Sequence, residues 1–203
     1  MAGQGGEALA GAVAAGTSAV ISGGALVAAI TQTSLSSSGR SVSIHLSNFS
    51  CDILTNPQVY TYKGYSCTPP HLTLGKAAQG LCTFGNGEKT TGAVGVLTYD
   101  INECLRERAV KRLAIMFSVP FEYATYENWF ALGFFEPHTP CDEALYNLMY
   151  YQDGSFRREK SSGSEIRFES GRYIVKGAMS PMSKAEMKVE FWDDDYFDQF
   201  DKY

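Results

Sequence analysis

From residue 40 onward the chain alternates apolar and polar positions with a period of two. SVSIHLSNF sets Val42, Ile44 and Leu46 against Ser41, Ser43, His45 and Ser47, which predicts a half-buried strand with His45 on its polar side. TTGAVGVLTY puts Val94, Val96 and Thr98 on one strand face and Ala93, Gly95 and Leu97 on the other. Before it, Asn86-Gly87 predicts a hairpin turn. Ile166 to Val175 and Glu186 to Phe191 alternate again as closing strands. The stretch Leu113 to Phe130, LAIMFSVPFEYATYENWF, starts as an apolar strand, breaks at Pro120, and then offers Phe121, Tyr123, Tyr126, Trp129 and Phe130. These are more aromatics than a turn needs. Rings with polar tips suit a membrane interface, a headgroup or a carbohydrate surface. The competing explanation is a tyrosine-rich corner of a sandwich core.

Two stretches carry a helical period instead. Leu9, Val13, Gly16, Val20, Val27 and Ile30 recur near helical spacing, with Glu7, Ser18 and Gln32 on the other side. No charged residue occurs from Ala8 to Gly39. A helix from Glu7 to Ile30 would be about 36 Å long, enough to cross a hydrocarbon core. Gly11, Gly16, Gly23 and Gly24 lower its helix propensity, so a helix permanently packed on a sheet, or a frayed Gly/Ala arm, competes with a membrane-inserting one. Thr33 to Arg40 is a polar link of hinge-like composition. Further on, Thr139-Pro140-Cys141-Asp142 reads as a helix start with Thr139 as cap. That helix runs to Tyr151 and brings Tyr146 and Tyr150 to one face.

At 203 residues, 44% hydrophobic and 19% charged, with 12 Tyr and 12 Phe, the chain can bury a full core as a mainly β domain. A net charge of −5 argues against nucleic acid held by phosphate contacts. It argues equally against simple attraction to anionic lipid, so membrane recognition would need a specific headgroup site. The cysteines Cys51, Cys67, Cys82, Cys104 and Cys141, and the histidines His45, His71 and His138, are scattered. Their spacing suggests no zinc site or disulfide framework, and no cofactor or metal is expected. GNGEKTTG lacks the spacing of a phosphate loop, and no catalytic constellation stands out, so an enzyme is not expected. Asp100 to Arg112, with Arg106, Arg108, Lys111 and Arg112 against Glu103 and Glu107, reads as a solvated, net basic hairpin tip. The N-terminus lacks a basic region before its apolar run. The expectation is a soluble protein without a conventional secretory signal, reaching membranes, and an extracellular site of action, by an unconventional route.

The central stretch, read with Thr91 to Tyr99 before it and Tyr146 to Tyr151 (YNLMYY) after it, resembles the actinoporins, the pore-forming toxin family of sea anemones. FSVP followed by a tyrosine-rich loop and Asn-Trp carries the likeness most strongly. The resemblance implies a compact β-sandwich flanked by two α-helices. It implies a phosphocholine site formed by Val94, Ser118, Pro120, Tyr126, Tyr146, Tyr150 and Tyr151, with Trp129 and Tyr123 at the membrane interface. Ring faces hold a quaternary ammonium and hydroxyls hold a phosphate. It further implies that Leu9, Val13, Val20, Val27 and Ile30 belong to a helix that leaves the sandwich and lines a pore.

Several positions depart from the family pattern. Lys63-Gly64 stands where the family has an arginine-serine pair, and a lysine gives a point charge rather than a planar fork. Thr125 occupies a usual tryptophan position, which weakens interfacial anchoring. Phe156 to Lys160 (FRREK) replaces the family's arginine-glycine-aspartate tripeptide. Glu190 to Tyr203 has no counterpart and reads as an acidic-aromatic tail that folds over the basic hairpin or the aromatic patch. The expected organisation is an N-terminal helix and hinge over 1–39, a lipid-binding sandwich over 40–191 and a tail over 192–203. The expected function is recognition of phosphocholine lipids, sphingomyelin above all, followed by homo-oligomerisation on the membrane and insertion as a cation-permeable pore. The alternative is a non-lytic lipid- or glycan-binding, lectin-like module on the same fold.

Overall fold

The computed structural model describes residues 39–87, 90–103, 108–122 and 126–194. Twelve strands and one helix follow one another: β1 (Ser41–Asn48), β2 (Ile53–Lys63), β3 (Tyr65–Thr68), β4 (Thr73–Leu74), β5 (Gln79–Gly85), β6 (Ala93–Asn102), β7 (Ala109–Val119), β8 (Trp129–Phe135), α1 (Glu143–Tyr151), β9 (Phe156–Lys160), β10 (Glu165–Ser170), β11 (Tyr173–Met179) and β12 (Lys184–Asp193). They form two six-stranded sheets, ordered β10-β11-β12-β1-β5-β3 and β4-β2-β6-β7-β8-β9. The neighbours β1 and β12 run parallel, which ties the two ends of the described chain together.

The alternation read from the sequence is the alternation that builds the core. Val42 and Ile44 are fully buried and Leu46 nearly so, while His45 points outward. In β7, Leu113, Ile115, Phe117 and Val119 face the opposing sheet, and Ala114, Met116 and Ser118 face the other way. Strand β6 is buried on both faces, with Leu97, Tyr99 and Ile101 in the inter-sheet core and Val94 and Val96 in a second cluster. That second cluster exists because α1 lies on the outer face of the β2-β6-β7-β8 sheet, burying Leu145, Tyr146 and Met149 against Val96, Ala114, Met116, Ala131 and Phe156. Burying a side chain of this size contributes about 1.5–3 kcal/mol.

The β-sandwich is as expected, and α1 is the one helix among the described residues. The expected N-terminal helix, with Leu9, Val13, Val20, Val27 and Ile30, lies outside the described residues. Among those described, no helix is long and apolar enough to cross a membrane.

Three local expectations are corrected. Asp142, not Thr139, caps α1: its side chain accepts from Leu145 N at 3.0 Å, whereas the Thr139 hydroxyl donates to Glu136 O. Arg112 is not on a solvated tip but 3% exposed, donating to Asp100 at 2.8 Å, to Gln58 at 3.0 Å and to the Thr139 carbonyl at 2.6 Å. Its partner lies directly across the hairpin, a pairing that a linear charge run does not reveal. The last strand also carries the sandwich past residue 191. Trp192 stacks on Phe49 at 4.4 Å, and buried Asp193 accepts from Cys51 N at 2.7 Å.

Candidate functional site

Strand register assembles the site as one row across the outer face of the α1-bearing sheet. Lys63 pairs with Val94, Val94 with Ser118, Ser118 with Trp129, and Trp129 with Lys160. Paired residues of adjacent strands share a face, so these side chains line one edge of the sheet. The row lies where the β2–β3 turn, the β7–β8 loop and the C-terminal end of α1 meet. Gly64 makes the β2–β3 turn with φ +89°, a backbone conformation that a side chain would strain.

Over this row α1 brings its tyrosines. Tyr146 is 3% exposed and forms the floor, stacked on Tyr62 at 5.2 Å and on Tyr150 at 5.6 Å. Tyr150 meets Tyr151 edge-on at 4.7 Å and lies close to the Ser118 hydroxyl. Tyr151 and Tyr126 are 68% and 53% exposed, and Tyr126 lies close enough to Tyr150 to influence its ionisation. Burial pushes the phenol of Tyr150 up, and the neighbouring Ser118 hydroxyl pulls it partly back. Burial, followed by the neighbouring tyrosines Tyr150 and Tyr151, pushes Tyr146 up as well. Both phenols therefore keep their protons at neutral pH and act as uncharged donors beside their ring faces. The arrangement can hold a small cation against π faces and an anionic group on hydroxyls.

The structure therefore brings together Ser118, Tyr126, Tyr146, Tyr150 and Tyr151. Val94 is buried beneath them rather than at a rim, and Pro120 follows β7 with its carbonyl held by Arg40. Trp129 is half-buried, with the Arg158 guanidinium 5.9 Å and the Lys160 ammonium 5.7 Å from its ring centre, so it is not an open anchor. Tyr123 lies outside the described residues.

Three residues not singled out from the sequence support the site. Tyr62 extends the ring stack, and Lys63 lies 5.0 Å over its face. Arg158 donates to the carbonyls of Tyr150 at 2.7 Å and Gln152 at 2.8 Å. It thereby satisfies the open end of a helix that has no basic residue in its last turn. Arg40 donates to Phe121 O at 2.6 Å and stacks on the Phe121 ring at 5.3 Å, while its backbone N–H donates to the Asn86 side chain at 2.8 Å. A tyrosine beside the recognised Lys63-Gly64 was visible as a signal for Tyr62; nothing in the sequence marks Arg158 as a helix cap seven residues on from Tyr151.

An open concavity of about 540 Å³ lies elsewhere, between β9 and β10, lined by Arg157, Glu159, Lys160, Glu165 and Arg167 among others. Arg157 pairs with Glu159 within it at 3.2 Å, Lys160 and Arg167 pair with Glu127 and Glu169 outside it, and Ile166 is its one apolar side chain. It is a solvated edge, whereas the tyrosine cluster is a surface with convergent chemistry. Among the described residues no group of three or more His, Cys, Asp or Glu could hold a metal ion, and Cys51, Cys67, Cys82 and Cys141 are free thiols.

Known proteins share this framework. Residues 9–192 match the family model described as sea anemone cytotoxic protein. The chain is 31% identical to DELTA-actitoxin-Afr1c of Actinia fragacea over 181 residues, covering 84% of this chain and 94% of that one. It is 31% identical to cytolysin tenebrosin-B of Actinia tenebrosa over 144 residues, 68% of this chain and 64% of that protein's length. A crystal structure of the lipid-binding protein Nakanori aligns with a TM-score of 0.59 at 9% identity, over 75% of this chain and 71% of the other, which shows a shared fold. By the extent of the family match and the identity to its members, this chain belongs to the sea anemone cytotoxic protein family, the actinoporins.

Proposed function

We propose that this protein binds phosphocholine lipids, with sphingomyelin the preferred one, then oligomerises on the membrane and inserts N-terminal segments as a cation-permeable pore. The observation that carries the reading is the ring cluster of Tyr146, Tyr150 and Tyr151, with the Ser118 hydroxyl and Tyr126 close beside Tyr150. A trimethylammonium group fits against the faces of Tyr126, Tyr150 and Tyr151, because the ring quadrupole attracts a cation that water solvates weakly. The adjoining phosphate accepts from the Ser118 hydroxyl and from protonated phenols. The pore step rests on family membership and on the uncharged run from Ala8 to Gly39.

Dye release from phosphatidylcholine vesicles with and without sphingomyelin, run beside vesicle sedimentation, tests both steps. Sphingomyelin-dependent leakage supports the whole reading. Sedimentation without leakage reduces it to lipid binding, and neither result overturns it and leaves the glycan-binding alternative. The site itself is tested by Tyr126→Ala and Tyr150→Ala: sedimentation unchanged in both, with the fold intact, would remove the assignment.

A further inference from the structure

The headgroup site occupies one edge of one sheet, yet the exposed apolar side chains at that end of the molecule come from both sheets. Of the eight large hydrophobic residues that are exposed among those described, Tyr62, Tyr65, Phe121, Tyr126, Tyr151 and Met182 lie at this end; Leu72 and Leu81 do not. Two of the first group, Tyr65 on β3 and Met182, belong to the opposite sheet from Ser118 and Trp129. Met182 is 61% exposed, on the turn between β11 and β12.

That turn is held in place by the headgroup side of the molecule. Asn128, the residue before β8, is 3% exposed, and its side-chain amide donates to Met182 O at 2.9 Å and Ser180 O at 3.3 Å. Its own carbonyl accepts from Ser161 N at 2.9 Å, and Ser183 O accepts from Ser41 N at 3.1 Å. A buried amide bonded to two carbonyls fixes a turn, because leaving any of these groups unpaired would be unfavourable. What the turn presents is uncharged: no charged residue occurs from Gly177 to Ser183, and Pro181 and Met182 are both exposed. A rigidly held tip that ends in a flexible thioether has no role in the core, and its neighbours at the same end are the rings that face the headgroup.

We infer that the Ser180–Ser183 turn is a second contact with the lipid surface, in which Met182 enters the bilayer interface and Asn128 sets its position relative to the tyrosine site. The inference rests on the headgroup reading above. It adds that the sandwich meets the membrane with the end of both sheets rather than with the α1-bearing sheet alone. The two sheets stand about 10 Å apart, so two contacts of this kind fix the tilt of the molecule where one would leave it free.

The test uses the whole chain with isotope-labelled methionine methyl groups, bound to sphingomyelin-containing bicelles doped with spin-labelled phosphatidylcholine. Met182→Leu identifies the Met182 resonance, and the fully buried Met116, Met149, Met179 and Met187 are internal controls. Selective broadening of Met182 is the expected result. Met182→Glu should weaken sedimentation with sphingomyelin vesicles about tenfold, since a charge replaces an apolar anchor, and Leu72→Glu at the far end should leave it unchanged. If the wild-type chain does not bind these membranes, the headgroup reading falls and this inference with it. If it binds, but Met182 is not broadened and Met182→Glu sediments like wild type, the inference alone is overturned. Broadening of Met182 with protein concentration in the absence of lipid would assign the turn to a second copy and overturn it as well.

Discussion

The two ends of the sandwich are held together by different chemistry. At the aromatic end, single polar side chains grip backbone carbonyls: Arg40 on Phe121, Asn128 on Met182, and Arg158 on Tyr150 and Gln152. Rings remain exposed around them. At the opposite end the charges are internal. Asp100 is locked by Arg112 and Asn56, Asp52 is gripped by Arg172 and by the Tyr173 hydroxyl at 2.7 Å, and Asp193 caps the Cys51 amide. One end leaves its apolar surface available and spends its polar groups on loop shape. The other hides its charges and closes the fold, so exposed rings and buried ion pairs are kept at different ends of one small domain.

The largest break in this contrast should come from Asp100→Ala. It strands the buried Arg112 guanidinium and should lower unfolding stability by about 3–5 kcal/mol, as measured by urea unfolding. Vesicle affinity per folded molecule should change little. Tyr146→Ala comes next, because Tyr146 serves both the packing of α1 and the ring stack. It should destabilise the protein by about 3 kcal/mol and also abolish sedimentation with sphingomyelin vesicles, a double loss that no residue of the opposite end should reproduce.

Alkaline pH acts on buried groups throughout the fold, Tyr146 of the aromatic end included. Burial raises Cys82 to about 12 and pushes Tyr99 and Tyr173 well above the ordinary phenol value, with Tyr173 raised further by its bond to Asp52. Each group is neutral while it holds its proton, and the folded chain holds that proton more tightly than the unfolded chain. The resulting stability is complete below the unfolded values, 9.0 for the thiol and 10.0 for the phenols, and is lost as pH rises through the folded ones. Urea midpoints should therefore fall from about pH 9 upward. Cys82→Ala should move the start of that fall closer to the tyrosine range. Midpoints that stay flat up to pH 11 would contradict the burial of these groups.

Smaller effects follow at the aromatic end. Arg158→Ala should cost about 1 kcal/mol, seen as faster amide exchange over the last turn of α1, with weaker vesicle binding because Tyr150 and Tyr151 lose their fixed pose. Arg158→Lys should recover part of both. Breaking the exposed Arg157–Glu159 pair should change stability by less than about 0.5 kcal/mol, although it lies one residue away.

The sequence made the apolar alternation legible because it is local: Val42, Ile44, Leu46 and the two faces of β6 needed only a period of two. The tyrosines of α1 were legible through helical spacing, and the pairing of Ser118 with Val94 and Trp129 is compatible with that reading although register itself is not visible in a linear sequence. What could not be read was long-range polar pairing. Arg112 looks like one more surface cation in a linear reading, and Asp142 and Thr139 are both good caps, of which Thr139 is engaged elsewhere, its carbonyl by Arg112 and its hydroxyl by Glu136. Arg158 acts on backbone carbonyls six and eight residues back and Asn128 on those of a turn far along the chain, and backbone atoms leave no trace in side-chain patterns. Trp192 and Asp193 looked like tail because aromatic-acidic composition matches tails, yet parallel pairing of β12 with β1 takes them into the sheet.

The grip of Arg40 on the Phe121 carbonyl also fixes where the chain enters the described fold. Gly39 and Arg40 lie beside the loop that carries Phe121, next to Asn86 and Gly87, so the described fold begins at the aromatic end, and the first turn of its path is set by the same guanidinium that shapes the ring-bearing loop.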